Sequence, residues 1–116
     1  MHKFVHVGLA FPGVPKVRDL EPTITRVSSD WIRYSVTNWI LWTDKRADEI
    51  YWALALNLDP QDQVLVAAID HNQMFGFLSP WMWTWMQSKL PETGVVFGDD
   101  LRQQLTNALN PMLPKV

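Results

Sequence analysis

The chain has 116 residues, 47% hydrophobic and 19% charged, which suits a single folded domain with its own core and argues against disorder. Ten Lys and Arg against twelve Asp and Glu leave a net charge of −2, so the basic surplus of a dedicated nucleic-acid binder is missing. With no cysteine, disulfides, thiolate zinc sites and cysteine nucleophiles are excluded, and no run reaches the roughly 20 apolar residues of a membrane-spanning helix.

Lys3 to Ala10 is apolar, contains Val5 and Val7, and meets Pro12-Gly13, which predicts a buried first strand. Its flanks resemble a signal peptide only superficially, because the apolar run is short and contains His6. A cytoplasmic location is the expectation. Val17, Leu20, Ile24 and Val27 then mark one face of a helix. Pro22 is tolerable only near a helix start, so the helix is expected from about Asp19 to Ser28-Ser29-Asp30.

Trp31 to Tyr34 and Trp39 to Thr43 predict a hairpin around Ser35-Val36-Thr37-Asn38. Alternation sets Trp39 and Leu41 on one face and Ile40 and Trp42 on the other. Thr43-Asp44 opens a second helix, with Asp48 and Glu49 in its first turn and Ile50, Ala53, Leu54 and Leu58 as its buried stripe. Asp59-Pro60 ends it, and Val64 to Ile69 reads as a central strand covered on both faces. After the polar turn Asp70 to Gln73, Ser79-Pro80 starts a Trp-rich helix that stops at Pro91. Gly94 to Phe97 is expected as a short strand, and Asp99 or Asp100 as the cap of a last helix carrying Leu101, Leu105, Ala108 and Leu109. The first six elements give the βαββαβ order of ferredoxin-like α+β folds, an antiparallel sheet with helices on one face, followed by a C-terminal extension from about residue 91.

The stretch from Ser35 to Asp70 carries a family resemblance. Trp39-Ile40-Leu41 with Thr43-Asp44, Asp48-Glu49-Ile50, Leu58-Asp59 with Asp62, Val64-Leu65-Val66, and the Gly76-Phe77 pair before a Trp-bearing helix resemble the SinR-like and small CRISPR-associated ferredoxin-like families. The latter include the dimeric partner subunit of the spacer integrase. Members with metal-dependent nuclease activity carry an Asp at the end of the first strand, where a dimer brings two together on a divalent metal. Here that strand ends Gly8-Leu9-Ala10-Phe11, and the next acidic residue is Asp19. The catalytic role therefore does not carry over. The resemblance implies a non-catalytic relative, a dimer, and an origin in a mobile element or defence system.

No constellation of residues predicts catalysis, a cofactor or a metal. His2 and His6 lack the helical HExxH context, and Asp70-His71 has no nucleophile beside it. Asp59 with Asp62 is expected to shape a loop. Gly8 and Gly13 belong to no phosphate-binding pattern.

The unusual feature is seven tryptophans: Trp31, Trp39, Trp42, Trp52, Trp81, Trp83 and Trp85. At 100 degrees per residue, Trp81 and Trp85 share a side of their helix, and taking that side as core leaves Trp83 exposed. Trp42 and Trp52 likewise fall off the expected core faces, and Met74, Met82 and Met86 add adaptable apolar surface. Trp42, Trp52, Trp83, Met82 and Met86 are thus the interface candidates of a homodimer or protein-interaction module. Two alternatives compete with it. In a nucleic-acid-binding or nuclease relative, Arg33, Lys45 and Arg46 would meet phosphate and exposed Trp would stack on bases. In a small-molecule-binding domain, the fold would host an unrelated ligand.

Overall fold

The computed structural model describes residues 1–90. The expected strand at Gly94 to Phe97 and the helix after Asp99 and Asp100 lie outside them. The chain divides into two compact units, Met1–Met74 and Phe75–Val116.

The first unit is a four-stranded antiparallel sheet with two helices, in the order β1 (Lys3–Ala10), α1 (Val17–Arg26), β2 (Asp30–Ser35), β3 (Asn38–Thr43), α2 (Ala47–Ala55) and β4 (Gln63–Ile69). In space the strands lie β2-β3-β1-β4. Since β1 is antiparallel to both neighbours, β1 runs parallel to β2 with β3 between them, and β3 runs parallel to β4 with β1 between them.

Period-two alternation explains the layering. Val5, Val7 and Leu9 of β1 and Trp39 and Leu41 of β3 point to one side. There they pack with Val17, Leu20 and Ile24 of α1 and with Ile50 and Leu54 of α2. Trp31, Val64 and Val66 border this core. On the other side of the sheet Phe4, Ile32 and Ile40 are buried, and Trp42 is half-buried against Phe4 and His2, at ring separations of 4.9 and 5.5 Å.

Two expected boundaries shift. Helix α1 starts at Val17, so Pro22 sits inside it rather than in its first turn. The ring points to solvent, and the helix forgoes one hydrogen bond to the Arg18 carbonyl. Helix α2 starts at Ala47, not at Thr43-Asp44, because Thr43 still belongs to β3 opposite Lys3. The buried Thr43 hydroxyl donates to the Val27 carbonyl at 2.7 Å and accepts from the Lys45 amide at 3.0 Å, which ties the end of α1 to the entry of α2. The Arg46 amide then donates to Glu49 Oε1 at 3.2 Å, bridging the first turn.

The larger correction concerns β4. Among the described residues it is an edge strand, not a central one covered on both faces, and Leu65 is 64% exposed. A short apolar run cannot distinguish the two placements, because an edge strand without charges looks like a central strand.

The second unit contributes α3 (Pro80–Lys89), preceded in the chain by a 3-10 turn at His71–Gln73 that the Asp70 carboxylate caps through the Asn72 amide. The expected faces of α3 are reversed. Met82, Trp83, Met86 and the following Leu90 are buried, while Trp81 is exposed and Trp85 is half-buried under Lys89, whose Nζ lies 5.3 Å from the ring. Trp81 and Trp85 do share a side, as geometry requires, but the buried stripe is the one at spacings of four set by Met82, Met86 and Leu90.

Candidate interaction surface

Two features adjoin at one side of the first unit. The first is the edge of β4, which has no neighbouring strand among the described residues. The Leu9 amide donates to the Thr37 carbonyl at 3.0 Å, so odd-numbered residues of β1 turn their backbone groups toward β3. The even-numbered residues Phe4, His6, Gly8 and Ala10 therefore bond β4, through Ile69, Ala67, Leu65 and Gln63. It follows that Val64, Val66 and Ala68 present their N–H and C=O groups outward, with no partner strand among the described residues.

The second feature is the outer flank of α2. Burial of Ile50 and Leu54 rotates Tyr51, Trp52 and Leu56 away from the core. Trp52 is 66% exposed and Leu56 84% exposed. Tyr51 and Trp52 meet edge to face with ring centroids 5.1 Å apart. Between this flank and the start of β4 lies an open hollow lined by Tyr51, Ala55, Leu58, Asp59, Pro60, Asp62 and Val64.

Beneath the hollow a charged clamp closes the loop before β4. Lys16 forms ion pairs with Asp59 and with Asp62, the latter at 2.7 Å, and Asp62 also accepts from the Asp59 amide at 2.9 Å. The Asp62 side chain is almost wholly enclosed. Hydrogen bonds to Asp59 and then Asp62 raise the Lys16 pKa, and the Lys16 bond holds Asp62 below the usual carboxylate range. The two carboxylates thus serve one lysine.

The interface candidates separate. Trp52 is on this surface and Trp42 is half-buried on the sheet's other side, while Met82, Trp83 and Met86, which belong to the second unit, are buried. The expectation that Trp83 is exposed is overturned, because the Met82–Met86 stripe turns it inward. Sequence reasoning missed Tyr51, Leu56 and Leu65. A helical wheel centred on Ile50 and Leu54 places the first two off the stripe, and so carried the signal.

The nucleic-acid candidates do not converge. Arg33 pairs with Glu21 at 3.5 Å near the Val36-Thr37 turn. Lys45 and Arg46 follow the opposite end of β3, roughly 14 Å away along the strand. Arg46 is held by Asp48 at 3.1 Å. His2 bonds the Ser29 hydroxyl at 2.7 Å, and His6 Nε2 and the Tyr34 hydroxyl are 2.5 Å apart. Burial lowers the His6 pKa and raises that of Tyr34, which favours the neutral form of each. Among the described residues no three His, Asp or Glu gather into a metal site. No helix among them is long and apolar enough to cross a membrane.

Comparison with known proteins adds no relative. The chain matches no family model, no curated protein and no solved structure.

Proposed function

We propose that this chain is a non-catalytic interaction module that works as a homodimer. The observation that carries the reading is the exposed Tyr51–Trp52 pair on α2 with Leu56 just past its end. Contiguous exposed aromatic surface marks interaction sites, and Trp and Tyr dominate interface energetics. A second copy supplies a matching apolar surface.

The ferredoxin-like reading belongs to the same proposal. Its support is the βαββαβ order from Lys3 to Ile69, the two interleaved pairs of parallel strands, and α1 and α2 on one face of the sheet. Kinship with the SinR-like and CRISPR-associated families, and with it a mobile-element or defence origin, rests on the residue pattern from Trp39 to Phe77 alone.

Light scattering across a concentration series tests the dimer. Wild type is expected at twice the chain mass, with Trp52→Ser and Tyr51→Ser shifted toward monomer. A protein that stays monomeric at the highest concentration rejects the proposal.

A further inference from the structure

The two edges of the sheet are built differently. Strand β2 carries Asp30 and Arg33, and its register shifts between Arg33 and Ser35. Charges and irregularities of this kind protect an edge from adding another strand. Strand β4 has none of them. Its sequence QVLVAAI contains no charge and no proline, and it keeps continuous register with β1 over seven residue pairs. Its outward amides and carbonyls at Val64, Val66 and Ala68 form an open ladder, and the exposed Leu65 lies along it.

We propose that β4 pairs with β4 of a second copy, antiparallel about a two-fold axis at Val66, to form one continuous eight-stranded sheet. The proposal rests on the homodimer reading and assigns its geometry. Only outward-facing residues can bond across the seam, which restricts the register. Val66 opposite Val66 of the second copy, with Val64 opposite Ala68 on either side, engages all three outward residues of each strand and closes six backbone hydrogen bonds. A shift to centre on Leu65 leaves Ala68 facing beyond the start of the partner strand. In the Val66 register Leu65 stands beside Ala67 and Gln63 beside Ile69. The strand meets itself with no like charges opposed, a condition β2 does not meet as simply. The symmetry is isologous, so a single patch suffices. The hollow between Tyr51 and Val64, which also carries Asp59 and Asp62, sits beside this seam.

The absence of cysteine makes the test direct. Val66→Cys places the two sulfur-bearing residues opposite each other, about 5.5 Å apart at Cα, within disulfide range. Gln63→Cys places them six residues apart along the seam, about 20 Å, which is out of range. Mild oxidation is expected to cross-link Val66→Cys and not Gln63→Cys. Ala68→Pro removes an outward N–H at an exposed edge position and is expected to raise the dimer dissociation constant about tenfold or more. If Ala68→Pro does not fold, the cysteine pair decides the question alone. A dimeric wild type in which Val66→Cys fails to cross-link, or Gln63→Cys does so equally, overturns this geometry and leaves the homodimer standing. A monomeric wild type overturns both. Amides of Val64, Val66 and Ala68 that gain protection from exchange only when a foreign extended peptide is added assign the edge to a peptide and overturn the second copy.

Discussion

Trp39 is the largest side chain fully enclosed in the core, and its indole N–H has no hydrogen-bond partner among the described residues. Trp39→Ala is expected to cost about 3–5 kcal/mol by chemical denaturation. Trp39→Phe is expected to cost distinctly less, because it removes the unpaired donor along with part of the ring. Gly8 has a different constraint. A Cβ there would lie 2.9 Å from His6 Cε1 and 3.0 Å from Asn38 Oδ1. Gly8→Ala therefore pushes the His6 ring away from its place beside Tyr34, and because only side-chain ends must move the expected loss is about 1 kcal/mol. The His6 pKa, followed by NMR, should move back toward 6.5 as the ring is exposed. Asp62 sets a pH dependence. Its pKa is depressed in the fold, so its contribution is fully present above the unfolded value near 3.9 and is lost as pH falls through the folded value. The stability difference between wild type and Asp62→Asn should accordingly be largest at neutral pH and shrink below about pH 4 in urea titrations.

At the level of elements, α1 carries a proline six residues into its length. Pro22→Ala restores the bond to the Arg18 carbonyl at an exposed site, and the thermal midpoint should rise, by an amount equivalent to about 1–3 kcal/mol. The sequence pattern made α1 legible through Val17, Leu20 and Ile24, but proline rules placed its start two residues late because tertiary burial of Val17 outweighs the lost bond. The β2–β3 hairpin was legible to within a residue, since Trp39 and Leu41 alternate with Ile40 and Trp42. The edge position of β4 was not, because Val64, Leu65 and Val66 form an unbroken apolar run whether one face or two are covered. Helix α3 misled for a related reason. Its mixed Trp and Met composition gives two apolar stripes, and periodicity alone does not say that the one with Met82, Trp83 and Met86 is buried. Of the interaction surface, Trp52 was legible from its offset to Ile50 and Leu54, whereas the free ladder of Val64, Val66 and Ala68 depends on strand order and so appears only in the fold.

For the molecule as a whole, net charge and the dispersed positions of Arg33, Lys45 and Arg46 give no electrostatic reason to bind a polyanion. Apolar surface at α2 and an uncharged edge at β4 give a reason to bind another protein, and identical copies satisfy both at once. Trp52→Ser should leave monomer stability within about 0.5 kcal/mol, since the ring is mostly solvated, while weakening self-association by about 2 kcal/mol. Sedimentation equilibrium of the wild-type chain tests the homodimer most directly. A mass of twice 13.5 kDa that falls toward 13.5 kDa in Trp52→Ser is the predicted result; a mass of 13.5 kDa for wild type throughout the concentration range would contradict it.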